Sequence, residues 1–153
     1  MLNDICNYLP ISNHLATAGQ PTEAQFREIA QARFDIVVNL ALPTSDNALP
    51  DERAGVESGG MTYYPIPVEW EAPTPEDFAQ FQAVLANHDA DRVLVHCAKN
   101  MRVSAFVYLH RRLNGVSETE AAAAMAQIWQ PNATWQRFID EVLARSPHPP
   151  AYP

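Results

Sequence analysis

Basic residues are scarce in this chain, with 10 Lys and Arg against 18 Asp and Glu among 153 residues and a formal net charge of -8. Nucleic acid and anionic membranes are held by clustered Lys and Arg, so neither is expected as a partner, and any anion site must be local. Cysteine is scarcer still. Cys6 and Cys97 are too few for a disulfide framework, and a lone cysteine in a suggestive setting is then read as reactive or buried. No apolar run approaches the roughly 18 residues a membrane helix needs, and MLNDICNYLP has no basic segment followed by a sustained apolar one. The expectation is a cytoplasmic protein. Internal repeats, charge blocks and low-complexity stretches are missing too, except the end SPHPPAYP, whose prolines cannot join a helix or sheet interior. Residues 1–146 are expected as one domain and 147–153 as a proline-rich tail strapped over the surface.

What is present alternates between two periodicities. HLATAGQPTEAQFREIAQA gives a short apolar piece, a turn, and a helix opened by Thr22 with Gln25 three later, a capping-box pattern with Phe26 and Ile29 inward. RFDIVVNLAL reads as a buried strand, PTSDNALP as a loop, Asp51 to Ser58 as a short helix, and MTYYPI as another strand. Thr74 and Pro75, with Glu76 and Asp77 in the first turn, open a helix to about Asn87. RVLVH is the next core strand, and SAFVYLHRRLNG a helix stopped at Gly115. Ser117 and Glu120 box a further helix that Pro131 ends, and Thr134 to Arg145 form the last. Met125, Ile128, Trp129, Trp135, Phe138 and Ile139 are expected as the core of these last helices. Strands alternating with helices imply an α/β single domain with a mostly parallel central sheet of about four to five strands flanked by helices. Such sheets place ligands outside the carboxyl ends of their strands.

Cys97 stands at such an end, in VLVHCAKNMRVS. A strand, a tight loop and a helix opening near Arg102 aim several backbone N–H groups at one spot, where the helix dipole also favours negative charge. A tetrahedral oxyanion fits that nest. The same field favours a nucleophilic thiolate over a thiol. Arg102 can grip two oxygens through its planar fork, which Lys99 cannot do, and His96 is expected to orient the loop by hydrogen bonding. The competing reading is a core cysteine with no chemistry, since Cys is among the most buried residue types.

VHCAKNMRVS resembles the signature loop of the cysteine-dependent protein tyrosine and dual-specificity phosphatases, in which His-Cys begins a phosphate-binding loop closed by Arg and followed by Ser or Thr. LATAGQPTEAQF, DIVVNLAL and YYPIPVEWEAPTPEDFAQF extend the likeness to a bacterial branch, similar to the phosphatase-like domain of the beta-lactamase-hydrolase-like proteins, over about Leu15 to Gly115. The resemblance implies a cysteine-phosphatase-like fold and a phosphoric monoester hydrolase working through a phosphocysteine intermediate. It also implies a phosphorylated small molecule or phosphoprotein as substrate, no metal or other cofactor, and a carboxylic acid from a neighbouring loop. The phosphate-binding loop would be His96, Cys97, Ala98, Lys99, Asn100, Met101, Arg102, Val103 and Ser104.

Three departures bear on that reading. The usual loop has five residues between Cys and Arg, whereas AKNM gives four, a spacing found in the bacterial branch and also in rhodanese-type sulfurtransferases. Sulfur transfer through a Cys97 persulfide is therefore the rival chemistry, and a catalytically weak phospho-ligand-binding pseudophosphatase is the rival non-enzyme. The customary loop glycine is Asn100, the non-glycine residue that best tolerates φ > 0. The hydroxyl expected directly after Arg is Val103, and Ser104 comes one later. For the acid, the run PIPVEWEAP offers Glu69 and Glu71, which period two puts on the same side of an extended loop; Glu69 follows the apolar run directly and is favoured slightly. Trp70 between them is a candidate wall for a flat substrate, and Gln20 a candidate border of the site. His14, His88, His110 and His148 show no zinc-ligand spacing with either cysteine, so no metal is expected.

Overall fold

The structure is a computed structural model that describes residues 1–146. The tail expected at 147–153 lies outside the described residues. A 3-10 turn at Leu2–Asp4 precedes β1 (Leu9–Pro10), β2 (Leu15–Ala18), α1 (Glu23–Gln31), β3 (Ile36–Asn39), α2 (Glu52–Ser58), β4 (Thr62–Pro65), α3 (Pro75–Asn87), β5 (Val93–His96), α4 (Met101–Leu113), α5 (Glu118–Ala126) and α6 (Ala133–Arg145). The sheet runs β1-β2-β5-β3-β4 and is parallel throughout except for β1, which pairs antiparallel with β2. This is the α/β domain with a mostly parallel sheet that the alternating periodicities imply. Among the described residues no helix is long and apolar enough to cross a membrane.

β5 is the central strand, and its register positions the site. His96 pairs with Ala18 of β2 on one side and Asn39 of β3 on the other, so three strands end at one level and their loops leave side by side. The ladder carries on past that level: Leu40 N–H donates to the His96 carbonyl at 2.8 Å, and Cys97 N–H to the Ala18 carbonyl at 3.3 Å.

Period two then sorts the side chains of β5 between two cores. Val93, Val95 and Cys97 face a core with Phe81, Phe106, Trp135 and Phe138, whereas Leu94 joins Ala16, Val37, Phe26, Ile29 and Val56 on the other face. His96 shares the parity of Leu94, and its ring meets the Phe26 ring edge-on. Burying rings such as Phe81, Phe106 and Trp135 contributes about 1.5–3 kcal/mol each, and α3, α4 and α6 are held to the sheet largely by that burial.

Local signals account for most helix boundaries. The Thr22–Gln25 capping box forms in both directions, as does a second between Thr74 and Asp77. Ser117 accepts from Glu120 N–H, but the reciprocal half of the expected box is absent because the Glu120 carboxylate is taken by Arg111 at 3.0 Å. α5 ends at Ala126 and not at Pro131, since the chain turns so that Trp129 packs on Trp70 and donates to Ser104. α6 starts at Ala133, one residue before the expected start, because Asn132 caps it. β1, only two residues long, carries too little periodicity to be read in advance.

Candidate active site

Cys97 is only 1% exposed, yet it lines an open cavity of about 470 Å³ together with Asp46, Trp70, Ala98, Lys99, Met101 and Arg102. The short loop that carries it is fixed from three directions. The Ala98 carbonyl accepts from Gln20 N–H at 3.1 Å and from Asn47 Nδ2 at 3.2 Å, and the Lys99 carbonyl accepts from Asn7 Nδ2 at 3.0 Å. Gly19 makes room for this arrangement. A Cβ there would stand 2.8 Å from the Ala98 carbonyl oxygen and 2.9 Å from Cys6 Sγ, so any other residue would push the loop and the N-terminal segment apart.

Asn100 takes φ 69, the left-handed conformation anticipated for it, and starts α4 from there. Its side chain does not cap the helix. Nδ2 donates instead to the Asn7 carbonyl at 2.8 Å and to Thr17 Oγ1 at 3.0 Å. The first-turn amides of α4, those of Met101, Arg102 and Val103, have no carbonyl within the helix to donate to and no side-chain cap. They open beside Cys97 at the positive end of the helix dipole.

Arg102 projects from this same turn and is 6% exposed. Its Nη1 donates to the Val68 carbonyl at 3.0 Å, and its guanidinium lies 6.0 Å from the Trp70 ring centroid. Among the described residues its buried Nε has no acceptor. A buried cation with an unpaired N–H is costly by itself and is stabilised by an anion that accepts from it. A thiol, an orphaned guanidinium N–H and an uncapped helix start thus converge on one cavity, an arrangement able to hold a tetrahedral oxyanion against a sulfur nucleophile.

Behind the loop, His96 Nδ1 lies 3.2 Å from the Cys97 carbonyl oxygen and Nε2 lies 2.6 Å from Glu52 Oε2. Gln20 Nε2 donates to Glu52 Oε1 at 2.7 Å, so Gln20 reaches the site through Glu52 and through its own backbone. Burial pushes the Glu52 carboxyl up, but bonds from His96, Gln20 and Tyr63, with the charge of His96, outweigh it and hold the group below the ordinary carboxylate range.

The remaining candidates are spread more widely. Lys99, Met101 and Trp70 line the cavity. Val103 is fully buried in the core. Ser104 donates to the Met101 carbonyl at 2.8 Å, accepts from Trp129 Nε1 at 2.9 Å, and is not among the residues lining the Cys97 cavity. Two positions along a helix are about 200° apart, which turns Ser104 away from Arg102. Glu69 and Glu71 do share one side of their loop, and that side is solvent. Val68 and Trp70 take the inward side, and Glu71 borders a separate surface cleft with Pro73 and Arg137. The carboxylate at the Cys97 cavity is Asp46, from the loop after β3, a residue that sequence reasoning passed over. Glu52 was missed as well. Its signal was an acid at i with an apolar Val56 at i+4, both buried on the inner face of α2.

Comparison with known proteins places these features in a wider set. The model of the family described as "DSP-PTPase phosphatase fused to NAD+ Kinase" matches residues 6–141. The beta-lactamase hydrolase-like protein of Xylella fastidiosa (strain Temecula1 / ATCC 700964) is 26% identical over 118 residues, 75% of this chain and 27% of that protein. The one from Agrobacterium fabrum (strain C58 / ATCC 33970) is 28% identical over 108 residues, 69% of this chain and 25% of that protein. The chain therefore spans about a quarter of the length of the curated relatives it matches. Among solved structures, a DUF442 protein from Shewanella putrefaciens CN-32 superposes with a TM-score of 0.86 and 34% identity, covering 96% of this chain and 97% of that one. The core catalytic domain of the PP-IP phosphatase SIW14 from S. cerevisiae shares the fold, with a TM-score of 0.73 at 16% identity over 89% of this chain and 85% of that one.

Proposed function

Because the chain belongs to the DSP-PTPase phosphatase family, we propose that it is a cysteine-dependent phosphomonoester hydrolase acting on a phosphorylated small molecule or phosphoprotein. The Cys97 thiolate attacks phosphorus, a P–S bond forms, and the bond from phosphorus to the leaving oxygen breaks. Arg102 and the first-turn amides of α4 bind the equatorial oxygens and stabilise the charge that develops on them. The leaving oxygen needs a proton, and Asp46 is the carboxylate that lines the cavity. Water then attacks the phosphocysteine, giving its proton to Asp46 as the P–S bond breaks, which returns the thiolate and releases inorganic phosphate.

The observation that carries this reading is the shared cavity of Cys97 and Arg102, with the guanidinium Nε buried and unpaired among the described residues. The test is phosphate release from para-nitrophenyl phosphate between about pH 4.5 and 8, with Cys97→Ser as the control. Hydrolysis lost in that variant is expected. No hydrolysis by the unmutated protein, together with a persulfide on Cys97 after thiosulfate treatment, would replace phosphoryl transfer by sulfur transfer. For the acid, Asp46→Asn is expected to lower kcat/KM on poor leaving groups about 10²-fold or more while sparing kcat/KM on para-nitrophenyl phosphate, and to slow hydrolysis of the phosphocysteine equally for both. The same selective loss in Glu69→Gln or Glu71→Gln, with Asp46→Asn unaffected, would move the role to the loop after β4.

A further inference from the structure

The open cavity in front of Cys97 is backed by a closed polar cluster that the reaction as described does not use. His96 is 0% exposed, Glu52 7% and Gln20 8%. The His96 ring faces an acceptor at each nitrogen. The Cys97 carbonyl at Nδ1 can only accept, so Nδ1 carries a proton. An ionised Glu52 at Nε2 can also only accept, so Nε2 carries one too. Glu52 is suited to remain ionised, because Gln20 donates to its other oxygen at 2.7 Å. A neutral imidazole beside an ionised Glu52 would leave a ring lone pair pointing at one of these two acceptors, at 3.2 Å or 2.6 Å and so too close to admit a water between them. An acceptor at each ring nitrogen suits an imidazolium facing a carboxylate, with its positive end toward the nucleophilic residue.

We propose that Glu52 is a positioning residue that keeps His96 doubly protonated, so that a fixed positive charge and an N–H donor stand directly behind Cys97 and favour its thiolate. The inference rests on Cys97 being the reactive group of the site. Other charges face the same residues. Arg102 and Lys99 are positive and Asp46 negative on the cavity side, while Tyr63, with the Arg53 guanidinium 5.1 Å from its ring centroid, lies on the Glu52 side. All of them remain when Glu52 becomes Gln, so that substitution isolates the carboxylate. The amide oxygen of Gln can still accept from the ring, but it carries no charge to balance an imidazolium.

The experiment is iodoacetamide alkylation of Cys97 as a function of pH, followed by peptide mass so that the exposed Cys6 is counted separately. In Glu52→Gln the midpoint of the alkylation profile is expected to rise by about one pH unit, so the variant reacts about tenfold more slowly below the midpoint and equally fast on the alkaline plateau. A purely structural role would lower the rate at every pH or accelerate it by exposure, without moving the midpoint. An unmoved midpoint overturns the inference. A second measurement needs no variant: ¹⁵N NMR of the unmutated protein near neutral pH should show both His96 ring nitrogens protonated, and a singly protonated ring overturns it equally. Alkylation reads the thiolate without turnover. A shifted midpoint in a protein that hydrolyses nothing would leave this role standing and sink the phosphatase reading, whereas Cys97-dependent hydrolysis with an unmoved midpoint would do the reverse.

Discussion

Asn132 and Asn100 are the same residue at the same formal position, the N-cap of a helix, and they do opposite things. Asn132, extended at φ -73, turns its side chain back to accept from Trp135 N–H at 3.0 Å. Asn100, at φ 69, sends its amide away from α4 to Asn7 and Thr17. Thr22, Asp51, Thr74 and Ser117 all behave like Asn132. Ordinary helix starts satisfy their orphan amides locally, which adds stability and leaves nothing for a ligand. At α4 the donors are withheld from the cap, and the backbone conformation of one residue makes the difference. The side chain thereby freed ties the Cys97 loop to β2 and to the N-terminal segment.

Substitutions at two positions should break that contrast from the ligand side. Arg102→Ala removes the cation that completes the open helix start, and kcat/KM is expected to fall about 10³-fold. Arg102→Lys should recover little of it, because an ammonium cannot reproduce the two-pronged contact. Steady-state kinetics on an aryl phosphate measure both, and a Lys variant close to the unmutated rate would show that charge alone suffices. Asn100→Gly keeps the left-handed backbone but deletes both side-chain bonds, which should loosen the loop and lower kcat/KM about tenfold with a modest loss of stability. Asn100→Ala adds the cost of a left-handed alanine, about 1–2 kcal/mol, and should be worse on both counts. A Gly variant with full activity would mean that the backbone conformation alone organises the loop. At an ordinary helix start the pattern should invert: Asn132→Ala is expected to cost about 1 kcal/mol in denaturant unfolding and to leave kcat/KM within about twofold.

The contrast also marks where a linear reading stops. β5, the helix after it, the left-handed Asn100 and the Thr22–Gln25 box were legible because each rests on residues a few positions apart. Cys97 and Arg102 were legible for the same reason, since one loop carries both. Asp46 and Glu52 were not, because they reach Cys97 and His96 only when β3 pairs beside β5 and the loops leaving both strands meet. Glu69 and Glu71 are the acids next to the apolar run, and period two puts them on one side of it. Which side of that alternation faces inward is decided by Val68 and Trp70, whose packing against the core is a tertiary fact.

The smallest expected effect concerns the closed cluster behind the site, and its sign follows from the direction of the Glu52 shift. Burial raises this carboxyl, but the bonds from His96, Gln20 and Tyr63 and the His96 charge lower it further, so in the folded chain it lies below its unfolded value. At any pH above the unfolded value the folded state gains from holding the ionised form. As pH falls through the folded value the group takes up a proton, the His96 partner is lost, and that contribution disappears. Stability should therefore decline with acidification more steeply in the unmutated protein than in Glu52→Gln, whose curve is flatter over the same acid range and lower near neutral pH. Chemical denaturation at a series of pH values reads this difference. Parallel curves would show that Glu52 is held by packing alone, and the division between an open front that binds and a charged back that orients would then apply only to the front.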